Sequence, residues 1–121
     1  MKGYGPIRNH RDLIVWQREM EVRRAVRLIL LSLPSQDRFE IGGQVARAAL
    51  SIPANIAEGH GRLDRRDYKQ FLSFSRGSVG ELDTHLISIG EDHPRLETQA
   101  QSTLGSLKEV SRMVTSIIVK L

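Results

Sequence analysis

Apolar residues recur every three or four positions through four stretches of this chain, with short breaks rich in Gly, Pro or polar residues between them. That spacing puts the apolar side chains on one face of a helix, and no stretch alternates with the period of two that a half-buried strand requires. Aromatic residues make up only 5% of the chain. Its interior must therefore be built from Leu, Ile, Val and Ala. An all-α fold follows.

Residues 1–11 contain two glycines and a proline and read as a flexible leader; residues 12–121 read as one domain. Asp12 is the expected N-cap of a first helix reaching about Ser32. Val15, Val22, Val26, Ile29 and Leu33 form its main stripe, and Leu13, Trp16 and Met20 a second beside it. Pro34 to Arg38 reads as a polar turn. A second helix is expected from about Phe39 to Ala57, with Ile41, Val45, Ala48, Ala49, Ile52 and Ile56 as its seam.

That seam runs across Pro53 without losing phase. A proline inside a helix removes one backbone hydrogen bond at a cost of roughly 3 kcal/mol, so a kink is expected there. Gly59 and Gly61 are the natural residues for the left-handed end of this helix. Asp64, with Asp67 three residues on, reads as the cap of a third helix carrying Tyr68, Phe71, Ser75, Ser78, Leu82, Leu86 and Ile89. Gly77, Ser78 and Gly80 weaken it by roughly 1 kcal/mol per glycine, which suggests the close approach of another helix. Gly90 to His93 is the expected last turn, and Pro94 suits the first position of a fourth helix seamed by Leu104, Leu107, Val114, Ile118 and Leu121. Four amphipathic helices with short connections predict an antiparallel up-down-up-down four-helix bundle. Leu28–Leu31 and Ile117–Val119 are apolar beyond the needs of one face, which points to burial against other subunits.

The absence of cysteine rules out disulfides and thiolate metal sites. No run approaches the roughly 18 apolar residues that span a membrane, and the N-terminus has no secretory apolar segment. A cytoplasmic protein with no membrane role is the expectation. The net charge is +4, carried by 14 Arg and 4 Lys. The whole excess lies within residues 1–30, so the first helix is where an anionic partner should bind.

The candidates for nucleic-acid contact are Arg23, Arg24 and Arg27 on helix one, then Arg62, Arg65, Arg66 and Lys69 around the turn into helix three. No helix-turn-helix, zinc-finger or RNA-binding aromatic signature is present, so binding would be led by phosphates and sensitive to salt. No catalytic constellation, metal site or cofactor motif is expected. Among the four histidines His60, between Glu58 and Arg62, comes closest, and it reads as an exposed turn residue. Glu58 is expected to bond the start of helix three or an arginine, and Asn55 to reach the carbonyl that Pro53 frees. Arg76 and Glu81 are candidates for the same polar network.

These residues resemble a known family. Trp16 within Asp12–Gln17, Gln44 with Arg47–Ala49, and Ser51–Arg62 with its Pro53, Asn55, Glu58, Gly59, Gly61 and Arg62 carry the resemblance. Arg76, Gly77 and Ser78 with Glu81 and Leu82 extend it, so that it spans roughly residues 12–90. The chain is similar to small four-helix-bundle proteins encoded within intervening sequences of bacterial large-subunit ribosomal RNA genes. The accessory variability determinant of diversity-generating retroelements is similar too. The resemblance implies a homopentameric ring. In the retroelement branch it implies a basic partner of nucleic acid and of a reverse transcriptase. Ala46, Glu40 and Arg27 depart from the family pattern, and Ala46 weakens the positive surface of helix two. The expected role is a non-catalytic homo-oligomeric accessory protein whose basic surface binds RNA or DNA. The alternative is a protein–protein scaffold ring with no nucleic-acid role.

Overall fold

A computed structural model describes residues 6–121; the start of the expected leader, residues 1–5, lies outside the described residues. Four α-helices form, α1 (Ile14–Leu31), α2 (Ser35–Gly61), α3 (Arg65–Asp92) and α4 (Glu97–Lys120). Short 3-10 turns stand at His10–Asp12 and Pro94–Leu96, and there is no strand among the described residues. Each helix packs on its neighbours in the chain, and α4 also packs on α1. The buried faces are the stripes the spacing predicts: Val15, Val22, Val26 and Ile29 on α1, Val45, Ile52 and Ile56 on α2, Leu82, Leu86 and Ile89 on α3, Leu107 and Val114 on α4. Burying each Leu or Ile contributes roughly 1.5–3 kcal/mol, which is the main term holding the helices together.

The helix ends differ from the expectation. Asp12 does not cap α1. It closes the 3-10 turn, its carboxylate accepting from the amides of Arg8 (2.9 Å) and Asn9 (3.4 Å), while Asn9 accepts from Arg11 N (2.8 Å). Gln17 donates from α1 to the carbonyl of Arg11 at 2.8 Å, so the end of the expected leader is tied to the helix. Pro34 stands at the N-cap of α2, which begins at Ser35 rather than Phe39. Its first turn is polar and gives no apolar signal. Pro94 opens a 3-10 turn, and α4 follows from Glu97.

At the other end α2 runs through Gly59 and Gly61, and neither glycine is left-handed. Leu63 takes that role at φ 60°, a conformation that disfavours any residue with a Cβ. Gly59 serves close packing instead. A Cβ there would lie 2.8 Å from Phe71 Cβ and 3.0 Å from Tyr68 Cδ1. Gly77 and Gly80 show the opposite: nothing lies within 4 Å of where their Cβ atoms would be, so no helix of the same chain requires them.

The α2–α3 seam is bound by hydroxyls. Ser75, fully buried, donates to the carbonyl of Ile52, the residue before Pro53, at 2.9 Å. Ser51 and Ser78 share a hydrogen bond of 2.7 Å. Asn55 does not reach Ala49, whose carbonyl Pro53 leaves without its amide. Its side chain donates to the carbonyl of Ser51 at 2.8 Å and to the Ser51 hydroxyl at 3.1 Å.

Candidate nucleic-acid interface

The basic residues of helix one meet others that the sequence left apart. α1 and α2 pack side by side with a groove of about 430 Å³ between them. Arg23 and Arg27 stand on its α1 wall, one turn apart, and Arg38 and Arg47 on its α2 wall. The floor is apolar, built from Val26, Leu30, Leu31, Ala46, Ala49 and Leu50, with no carboxylate in the lining. Leu31 is 52% exposed and Leu50 48%, so the fold leaves this floor half covered. Gly42 and Gly43 keep the α2 wall low.

Among the described residues Arg23, Arg27 and Arg47 have no ion-pair partner. Arg38 donates to the carbonyl of Leu33 at 3.3 Å, which fixes one guanidinium at the end of the groove. Nearby, Arg95 donates to the carbonyl of Ser32 at 2.6 Å and His93 Nε2 lies 2.5 Å from Asp37 Oδ2. These contacts brace the turn between α1 and α2, which holds the two walls in register. Arg24 is exposed but does not line the groove.

The second expected cluster lies elsewhere. Arg62 follows α2 by 15 residues after Arg47, roughly 22 Å along the helix axis. It pairs with Glu58 at 3.2 Å and covers the Phe71 ring at 4.9 Å. Arg65 donates to the carbonyl of Leu121 at 3.2 Å. Arg66 and Lys69 are exposed on the first turns of α3, where Asp64 caps the helix by accepting from the amides of Arg66 and Asp67. Two of these four cations therefore have structural duties.

The motif residues divide in the same way. Glu58 bonds neither α3 nor its amides; Arg62 is its partner. Arg76 is exposed and Glu81 faces His85 at 3.8 Å, so the two do not join a network with Asn55. Trp16 packs its ring edge-on against His10 at 5.1 Å, and Gln44 is exposed on α2. His60 is half-buried inside α2, not in an exposed turn, and its ring meets that of Tyr68 at 5.8 Å. Its acidic neighbour Glu58 serves Arg62, so the two are not paired. Among the described residues no three His, Cys, Asp or Glu side chains group to hold a metal ion, and no helix is long and apolar enough to cross a membrane.

Two residues escaped the sequence reading. Arg38 stood in an expected turn, and only the packing of α1 on α2 brings it beside Arg23 and Arg27. Glu19 was legible: it falls in the stripe Val15–Glu19–Val22–Val26, and it is fully buried with neither carboxylate oxygen hydrogen-bonded. Burial alone pushes its carboxyl up to about 8.

The family model described as 23S rRNA-intervening sequence protein matches residues 11–116. The chain belongs to that family. The match to this intervening-sequence protein family covers the first three helices and most of α4, whose residues carried only a generic amphipathic signal. A search of curated proteins finds no match.

Proposed function

We propose that this chain is a non-catalytic accessory protein that assembles with copies of itself and binds RNA or DNA through the arginines of the α1–α2 groove. The observation that carries this reading is four guanidinium groups from two helices around one groove, with no carboxylate among them. Guanidinium forks suit phosphate oxygens, and an unpaired arginine is free to take one. Arg66 and Lys69 supply a second, weaker contact for a long strand. A nucleic-acid enzyme such as a reverse transcriptase is the protein partner that the retroelement resemblance implies.

The helices are read as an antiparallel up-down bundle bent at Pro53. Ser51 with Ser78, Ile52 with Ser75, and Gly59 with Tyr68 and Phe71 support the antiparallel order of α2 and α3, since residue numbers fall on α3 as they rise on α2, and the bend is inferred from Pro53 alone. Self-association, to a pentamer by resemblance, is supported by the outer face of α3 and α4. There Gly80 and Gly105 border a depression of about 620 Å³ with Val79 and Leu104, and the open Cβ positions admit another helix.

Fluorescence anisotropy with structured RNA and duplex DNA, at low and near-physiological salt, tests the binding. Light scattering tests the assembly. Binding that weakens steeply with salt and with Arg23→Ala, Arg27→Ala and Arg47→Ala together is the expected result; no binding at low salt sinks the reading. A scaffold without a nucleic-acid role is favoured by the exposed Leu28 (63%) and Phe39 (87%), and it would show as a protein partner retained after nuclease treatment.

A further inference from the structure

We infer that the α1–α2 groove takes an unpaired stretch of polynucleotide, with a base against its apolar floor and the flanking phosphates on its arginines; this rests on the nucleic-acid reading above. Phosphate attraction alone explains the walls and not the floor. Burying Leu31 against another subunit, as its apolar run suggested, would also carry Arg23, Arg27 and Arg47 into an interface where this chain has no carboxylate in the lining to pair them. Leu31 and Leu50 remain half exposed between Arg27 and Arg47, where a site for duplex phosphates has no use for apolar surface.

The geometry favours a single strand. Packed helices lie with their axes about 8–10 Å apart. A duplex keeps its bases paired inside and offers a cleft between two such helices only phosphates and groove edges. It would rest on the rim arginines and leave the floor uncovered. An unpaired nucleotide can turn its base inward. The cavity of about 430 Å³ lies in the range of sites that enclose a small ligand. Arginine guanidinium planes on both walls stack on exposed bases as aromatic rings do, which suits a groove with no aromatic among its described lining residues. The floor carries no hydrogen-bonding side chain, so recognition is tolerant of sequence. Unpaired RNA and unpaired DNA share this chemistry.

The test is anisotropy with labelled oligo-U, oligo-dT, an RNA hairpin stem and a DNA duplex of matched length, using the full chain. The unpaired probes are expected to bind about tenfold tighter than the duplexes. Four phosphate contacts on a single strand give a salt slope of about −3, so affinity falls roughly 50-fold between 50 and 200 mM salt. Leu31→Ser with Leu50→Ser is expected to lower unpaired binding about tenfold and leave duplex binding unchanged. Ala46→Leu narrows the groove without removing a contact or adding a ring on which a base could stack, and should do the same, which guards against a serine variant that fails to fold. Preference for oligo-U or for oligo-dT identifies the natural strand. Equal affinity for duplex and unpaired probes, or indifference to both groove variants, overturns this inference while nucleic-acid binding stands. No binding to any probe overturns both.

Discussion

The Ser75 hydroxyl donates to the Ile52 carbonyl across the α2–α3 seam at 2.9 Å, both residues fully buried. It ties α3 to the carbonyl that immediately precedes Pro53, where α2 has lost an amide donor. Ser75→Ala removes the bond and leaves a small void. The expected loss is about 1 kcal/mol, read as a lower urea midpoint with unchanged slope. An unchanged midpoint would mean that the bond adds nothing beyond what water gives the unfolded chain.

Gly59 on α2 and Gly77 on α3 should respond with opposite signs. Gly59→Ala drives a methyl to 2.8 Å from Phe71 Cβ, an atom next to the backbone that cannot swing away. Overpacking of this kind costs about 1–3 kcal/mol. Gly77→Ala meets nothing within 4 Å and raises helix propensity, so it should stabilise the isolated chain by about 1 kcal/mol. If copies meet at that face, the same methyl should weaken assembly, and light scattering on the variant reads this directly.

Glu19 predicts a stability that depends on pH. Its carboxyl is pushed from 4.5 up to about 8, so the folded chain holds a proton that the unfolded chain releases. The sign is then fixed: the contribution of Glu19 to stability is greatest below about pH 4.5, falls as pH rises towards 8, and levels off above it. The full loss is on the order of 5 kcal/mol. Glu19→Gln should flatten the profile, and Glu19→Met should flatten it and raise stability at pH 8. Urea midpoints from pH 5 to 9 decide, and a wild-type profile already flat across that range would refute the prediction.

Leu63 is 97% exposed and left-handed, so its side chain contributes little while its backbone is strained. Leu63→Gly should relieve roughly 1 kcal/mol of that strain, partly offset by the greater freedom of glycine in the unfolded chain. A small rise in melting temperature is expected. A fall would show that Leu63 packs on something outside the isolated chain.

The stripes were legible because burial on four helices obeys one period, and every residue of the main α1 stripe is in the core. The helix ends were not. The first turn of α2 is polar, and of the two glycines that suggested a left-handed end Gly59 is spent on packing against Phe71 and Tyr68, while Gly61 ends the helix with open space at its Cβ position. Half of the candidate groove was visible as Arg23 and Arg27. The other half, Arg38 and Arg47, lies 11 or more residues further along, and only the register of α2 on α1 brings it opposite. Glu19 stood in plain view within an apolar stripe, where a carboxylate needs an explanation.

Gly77 and Gly80 sit near the middle of a 28-residue helix and face open space. On that outer side the backbone bonds are neither shielded by side chains nor favoured by propensity, while the inner side is held to α2 through Ser75 and Ser78. The amides of Gly77 and Gly80 should therefore exchange faster in dilute solution than those of their buried neighbours Ser75 and Val79. Whatever covers those two glycines would act as a clasp, slowing exchange on one side of α3 and leaving the other as it was.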